Sequence, residues 1–272
     1  MQDIREKVVI ITGGSSGIGL ALAHEFGRIG AKVVITARNR ERLEKAFESL
    51  KAAGIDSLAV ISDVSNETDC QGIIEKTVTH FGKIDILVNN AGISMRAIFA
   101  KTDLLVLKKL MDTNFWGTVY CTKYALPYLL KTKGSVVGVI SVAGYVGLPG
   151  RTGYSASKFA VRGFLDTLRC ENLKTGLHVL VAAPGFTSSN IRTSALTADG
   201  TTQGETPRNE AKMMPAEVAA HKIVKATLKR RDSLILTFAE GKLIVFLNRF
   251  FPKLVSRLSY YYMSKEHDSP FS

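Results

Sequence analysis

The chain has few of the residues that would place it outside the ordinary globular classes. It holds three cysteines in 272 residues, Cys70, Cys121 and Cys170, far apart and odd in number. They form neither a disulfide framework nor a metal-ligand cluster, and they fit a reducing compartment. Seven prolines and one tryptophan exclude proline-rich low complexity. No stretch reaches the roughly 18 apolar residues of a membrane span. The opening Met1 to Lys7 lacks a signal-peptide pattern, because the apolar run Val8 to Ile11 is short and leads directly into a glycine motif. Acids are fewer than bases, 24 against 36, for a net charge of +12. The excess is spread along the chain, and its longest basic run is Lys229, Arg230, Arg231, so nucleic acid is not an expected partner. Apolar residues make up 46% and charged residues 22%, enough to bury a core and exclude disorder as the main state.

What is present is an alternation of short Val/Ile-rich runs with helical patterns. Strands are expected at Lys7–Ile11, Lys32–Thr36, Ser57–Ile61, Ile84–Val88, Ser135–Ile140, Leu177–Ala182 and Leu234–Phe238. Helices are expected at Gly17–Ile29, Arg40–Ala53, Glu67–Phe81, Tyr154–Leu173 and Pro215–Lys229. A long helix over Asp103–Leu130 is expected to distort near Pro127. Buried strands alternating with helices demand a parallel sheet covered on both faces. The fold class is therefore α/β, a single doubly wound domain with seven parallel strands. Residues 187–213 form a long polar stretch after the sixth expected strand. They are read as a substrate lid at the carboxyl edge of the sheet, where ligands bind.

The first strand runs into Thr12-Gly13-Gly14-Ser15-Ser16-Gly17-Ile18-Gly19. Small residues there let a turn approach a pyrophosphate, and the following helix supplies N–H groups and a favourable dipole. The second strand ends in Ala37-Arg38-Asn39-Arg40, with no carboxylate to accept from the ribose hydroxyls of NAD. Arg38 can pair with a 2′-phosphate through its fork of donors, which points to NADP(H). Asp63 ends the third strand and can accept from an adenine amino group. Asn89-Asn90-Ala91-Gly92 ends the fourth with small and amide groups, and Asn89 also fits as a turn former.

Tyr154 and Lys158 are four apart in a helical pattern and share one face. An ammonium beside a phenol favours the phenolate, so this pair can exchange a proton with a carbonyl or alcohol oxygen. Ser141 follows a strand and can hold the same oxygen. The five histidines are scattered with no nucleophile to serve, and no cluster of residues calls for a metal.

With these motifs in this order, the chain resembles the short-chain dehydrogenase/reductase family over roughly residues 5 to 240. The resemblance adds Asn114, in Met-Asp-Thr-Asn-Phe-Trp-Gly, as a structural and proton-relay residue, and Pro184-Gly185 with Thr187 beside the nicotinamide. It implies Asn114, Ser141, Tyr154 and Lys158 as catalytic residues. It implies NADP(H) contacts from Thr12, Gly13, Ser15, Ser16, Gly17, Ile18, Gly19, Arg38, Asp63, Val64, Asn90, Ala91, Gly92, Tyr154, Lys158, Pro184, Gly185 and Thr187. The implied activity interconverts a carbonyl and a secondary alcohol by hydride transfer, with Tyr154 as general acid/base and Lys158 lowering its pKa. Reduction of a 3-oxoacyl thioester is the alternative within enzymology; an NADP(H)-binding regulator with vestigial activity is the alternative outside it. Ser15 and Ser16 stand where NADP-preferring members often carry a basic residue, so Arg38 must do more of the phosphate recognition.

The apolar loop Val142–Pro149, with Met95, Phe99, Phe186 and Ile191, points to a hydrophobic substrate. The extension of about 241–272 carries Lys242, Arg249, Lys253 and Arg257 among apolar and aromatic residues, with no acid from 242 to 262. The extension resembles the tails of family members acting on lipid or steroid ketones, and three uses fit it: lying on a membrane surface, covering the cleft, or packing against another subunit or the core, with packing preferred. The resemblance implies a homodimer or homotetramer, the dimer favoured, paired through Asp103–Leu130 and Tyr154–Leu173. The expected location is cytoplasmic, at a membrane surface if residues 242–262 bind lipid.

Overall fold

The computed structural model describes residues 3–206, 213–266 and 269–271. Seven strands form one parallel sheet: β1 (Val8–Thr12), β2 (Lys32–Ala37), β3 (Ser57–Ile61), β4 (Ile86–Asn89), β5 (Ser135–Val139), β6 (His178–Ala183) and β7 (Ser233–Ile235). Their order across the sheet is β3-β2-β1-β4-β5-β6-β7. The order reverses between β1 and β4, which pair through Val9–Ile86 to Ile11–Val88. A crevice opens at such a reversal, beyond the carboxyl ends of the two strands.

Both faces of the sheet are covered, and the strand sequences show it. Val9 and Ile11 of β1 pack with α1 (Gly17–Arg28), α2 (Arg40–Ala52) and α7 (Ala216–Leu228). Val8 and Ile10 point the other way, toward α3 (Glu67–Phe81), α5 (Gly117–Thr132) and α6 (Thr152–Glu171). A strand buried on both sides needs apolar residues at every position, hence the unbroken Val-Val-Ile-Ile run.

The long expected helix is interrupted, but not at Pro127. It divides into α4 (Leu104–Leu110), a wide π-helical stretch at Met111–Trp116, and α5. Pro127 stays inside α5 on its exposed side, where water can satisfy the carbonyl its missing N–H abandons. The widened turn instead serves Asn114, whose backbone carbonyl accepts from Thr118 Oγ1 at 2.8 Å. After β7 the chain makes a π-helical turn at Phe238–Leu243, then α8 (Ile244–Phe250) and α9 (Pro252–Ser264). No described helix is long and apolar enough to cross a membrane.

Candidate active site

The crevice at the strand reversal is a cavity of about 400 Å³. One end is framed by the turn after β1, the ends of β2 and β3 and residues 90–93. The other is framed by the ends of β5 and β6 and residues 187–202. The glycines of the first turn are required by close approach. A Cβ on Gly13 would lie 2.8 Å from Ala91 Cα, and one on Gly19 would lie 2.2 Å from the Gly13 carbonyl oxygen. Gly13 is also held at φ +65. Asn90 fastens this turn, its Nδ2 donating to the carbonyls of Thr12 and Gly13 at 3.0 and 3.1 Å. Ser16 precedes α1 without capping it by its side chain, which leaves the first amides of the helix to a ligand. Backbone packed this tightly around an open helix terminus fits a dinucleotide pyrophosphate.

Ser15, Ser16, Gly17, Ile18, Arg38, Asp63, Val64, Ala91 and Gly92 all line the cavity with Gly13, Gly19 and Asn90. Thr12 does not. It is buried behind the turn, where its Oγ1 accepts from the N–H groups of Asn90 and Ala91, each at 3.0 Å. Its work is to brace the loop after β4 against the loop after β1. Asn89 is likewise structural, donating to Thr122 Oγ1 at 2.9 Å.

Arg38 Nη1 stands 3.9 Å from Asp63 Oδ2, both side chains partly open to the cavity. Arg40 turns away to Glu44. Arg42 lines the cavity in its place, and sequence reading missed it. No spacing rule marked it: Arg38 precedes the helix, and only packing shows that Arg42 of α2 faces the cavity. Two guanidinium groups, of Arg38 and Arg42, thus line this end of the cavity.

At the far end Ser141, Tyr154, Lys158, Pro184, Gly185 and Thr187 line the same cavity. Ser141 caps the short turn after β5 by accepting from Ala143 N at 3.1 Å, and its hydroxyl lies near enough to Tyr154 to favour the phenolate. Lys158 is buried one helical turn on, its Nζ donating to Val139 O at 3.1 Å and lying 5.9 Å from the Tyr154 ring centre. Asn114 does not line the cavity and is 1% exposed. Its Oδ1 accepts from Ile93 N at 2.8 Å, while its Nδ2 donates to Ile93 O at 2.9 Å and Ser157 Oγ at 2.8 Å. It therefore ties the loop after β4 to the helix that carries Tyr154 and Lys158. Gly92 packs between them: a Cβ there would be 3.1 Å from Asn114 Oδ1 and 3.3 Å from Lys158 Nζ.

The electrostatics correct one expectation. Burial pushes the Tyr154 phenol up from its ordinary value, opposed by the Ser141 hydroxyl and by the charges of Arg151 and Arg192. Burial also pulls Lys158 down to about 8. In the protein alone burial outweighs the groups that favour the phenolate, so the phenol stands above its ordinary value, against the expectation of a lowered one. Arg151 and Arg192 are therefore parts of the site that sequence reading did not identify. Arg151 donates to Ser94 Oγ at 2.7 Å, and Arg192 to Thr187 O at 2.9 Å. Arg151 stands three residues before Tyr154 and could have been noticed. Arg192 lies in the long polar stretch, with no local pattern to mark it.

The apolar residues expected around a substrate mostly lie elsewhere. Met95, Val142, Ala143 and Val146 are buried in packing, Phe99 is exposed on the surface, and neither the Val142–Pro149 loop nor Phe186 lines the cavity. Ile191 does, together with Ile93 and Leu196. Residues 187–206 are stitched in place: Leu196 exchanges backbone hydrogen bonds with Ser94 and Arg96, and Asp103 N donates to Ala198 O. The last part of the expected lid, 207–212, lies outside the described residues. No group of side chains among the described residues is arranged to hold a metal ion.

Comparison with known proteins agrees with this geometry. The family model of the short chain dehydrogenases matches residues 7–199. An 11-beta-hydroxysteroid dehydrogenase-like 2 protein of Arabidopsis thaliana is 41% identical over 194 residues, covering 71% of this chain and 63% of the relative. The chain thus spans less than two thirds of that plant relative. A dehydrogenase/reductase SDR family member 7B from Bos taurus is 34% identical over 276 residues, covering 99% of this chain and 85% of the bovine protein. A short chain dehydrogenase/reductase from Burkholderia phymatum, solved in complex with NAD, shares the fold. It superposes with a TM-score of 0.84 at 24% identity, covering 93% of this chain and 96% of that one. With its glycine turn, its Ser141–Tyr154–Lys158 cluster and a family match across most of its length, the chain belongs to the short chain dehydrogenase family.

Proposed function

We propose that this protein is an NADP(H)-dependent oxidoreductase that interconverts a carbonyl and a secondary alcohol on a hydrophobic substrate. The observation that carries this reading is the convergence of Ser141, Tyr154 and buried Lys158 at the far end of a cavity that begins at the glycine turn. The turn after β1, Asn90 to Gly92, Asp63 and Val64 would hold the dinucleotide, and Arg38 with Arg42 would hold its 2′-phosphate. When bound, the cofactor supplies or accepts the hydride at the substrate carbon.

The protein's own residues handle the proton. In reduction the Tyr154 hydroxyl donates its proton to the substrate oxygen as negative charge gathers there, while the Ser141 hydroxyl donates a hydrogen bond to the same oxygen. Arg151 and Arg192 favour the phenolate that remains. In oxidation Tyr154 takes the proton back. Lys158 would bind the ribose next to the nicotinamide through its ammonium. Asn114 is a positioning residue that fixes the loop and helix on either side of this machinery.

Ile93, Ile191 and Leu196 on the cavity wall support an apolar substrate, and so do the steroid dehydrogenase names of the plant relatives. The same reading makes the protein a homodimer through α5 and α6. Trp116 and Phe159 are exposed there, and the Trp116 ring stacks on Tyr120. Sedimentation velocity measures the oligomer.

The test is NADPH oxidation against steroid ketones, long-chain ketones, 3-oxoacyl thioesters, quinones and sugars, with Tyr154→Phe as control. Tyr154-dependent turnover of an apolar ketone is the expected result. Turnover of 3-oxoacyl thioesters alone would replace the substrate class. Tight NADPH binding without turnover of any carbonyl would replace the activity with a regulatory role.

A further inference from the structure

The tail α8–α9 touches the rest of the molecule along a narrow stripe and leaves the remainder of its surface bare. On α9 only Val255, Ser259 and Met263 are buried, at positions i, i+4 and i+8. A second stripe, Leu254, Leu258, Tyr261 and Tyr262, follows the same spacing on the exposed side. Phe246, Phe250 and Phe251 extend it across the junction with α8, each more than half exposed. Single exposed apolar residues are ordinary, but a run of large ones across two consecutive helices marks a surface that is covered in use.

The charges say by what. From Gly241 to Lys265 the chain has Lys242, Arg249, Lys253, Arg257 and Lys265 and no Asp or Glu. Lys253 and Arg257 lie four apart, each directly before a residue of the exposed apolar stripe. Long cationic side chains beside aromatic rings are the composition of a helix lying in a lipid headgroup layer, with the cations reaching to anionic headgroups. A second copy of the chain suits this face poorly. A two-fold interface would bring two such basic surfaces together with no acid from this segment to neutralise them.

The inner side of the tail is fastened to the active-site end of the molecule. Arg96 Nη2 pairs with Glu266 Oε2 at 3.2 Å, with both side chains nearly buried. A Cβ on Gly150 would meet Pro270 at 3.1 Å and Met263 at 3.9 Å. Arg96 follows Met95, which shares a buried apolar cluster with Tyr154, and Gly150 precedes Arg151.

We propose that α8 and α9 form a docking face for an anionic membrane surface, strapped by Arg96–Glu266 to the loops beside the active site. Docking there sets the substrate end of the cavity beside the lipid, where apolar substrates concentrate.

The experiment is co-sedimentation of the full chain with vesicles of pure phosphatidylcholine and with vesicles containing about one third phosphatidylserine. Two variants are compared, Lys253→Glu/Arg257→Glu and Phe250→Ser/Phe251→Ser, with thermal melting as the check on folding. The wild-type chain should pellet with the anionic vesicles. Charge reversal should weaken that by about tenfold or more with little effect on neutral vesicles, and serine substitution should weaken binding to both. Wild-type protein that stays in the supernatant with anionic vesicles overturns the proposal, as does wild-type-like pelleting of the folded charge-reversal variant. A smaller oligomer in the serine variant without vesicles assigns the face to a second copy instead and also overturns it. Binding that requires an added acidic protein, with none to lipid, does the same. None of these readings depends on NADPH or turnover.

Discussion

The nucleotide end and the substrate end of this molecule are built differently, though one cavity joins them. At the nucleotide end, function lies in backbone that only certain residues permit. Gly13 and Gly19 are there because a Cβ would strike Ala91, in the loop after β4, and the Gly13 carbonyl. At the substrate end, function lies in side chains gathered from distant segments. Asn114, Ser141, Tyr154, Arg151 and Arg192 meet only after the π-helical turn, the end of β5, α6 and the 187–206 stretch have packed. The first kind of site is written in spacing. The second depends on which way each side chain faces.

The largest test of this contrast is Tyr154→Phe. One hydroxyl is lost from the substrate end and nothing from the nucleotide end. Turnover should fall by about a thousandfold, while the dissociation constant for NADPH stays within about twofold by fluorescence titration. A matching loss of NADPH affinity would mean that the two ends are not separable. The converse variant is Gly19→Val. Its Cβ meets the Gly13 carbonyl oxygen at 2.2 Å, so the turn must move. NADPH affinity should drop by about tenfold or more, with a lower melting temperature. Unchanged affinity would show that the close approach is not what makes the site.

Arg38→Ala and Arg42→Ala divide the nucleotide end itself. Each should weaken NADPH by about tenfold and NADH by no more than about twofold, measured by calorimetry. Equal losses for both cofactors would remove the 2′-phosphate from the reading. Arg40→Ala, whose partner is Glu44, should change neither.

The smallest effect concerns Lys158. Burial holds its folded pKa at about 8, below its ordinary value of 10.5. Between those values the unfolded chain binds more protons than the folded one, so stability rises with pH across that window. The cost of burying the ammonium is full below pH 8 and fades toward pH 10.5. The melting temperature of the wild type should therefore gain on that of Lys158→Met from pH 8 to 10. A constant difference between the two would contradict the assigned burial cost.

The same contrast explains what the sequence revealed before the structure did. All seven strands were legible in the Val/Ile runs, because strands covered on both faces must be apolar at nearly every position. The glycine turn and the Tyr154–Lys158 face were legible because both depend on spacing within a few residues. The π-helical turn at Met111–Trp116 was not, since its anchors, Ile93 and Ser157, are distant in sequence. Pro127 drew attention for a sound local reason, but its exposed position let water replace the lost partner. Met95 and Phe99 were placed at the substrate for their apolarity alone, and packing buried one and exposed the other. Arg42 was missed because which side of α2 faces the cavity is set by packing and not by a local spacing.

The most direct measurement is NADPH oxidation by the wild-type chain and Tyr154→Phe, run side by side with apolar ketones under conditions where both are shown to bind NADPH. The account predicts turnover of at least one apolar ketone by the wild type and a loss of about a thousandfold in the variant. Undiminished turnover by Tyr154→Phe would contradict it, because the proton would then come from somewhere other than the hydroxyl around which the site is built.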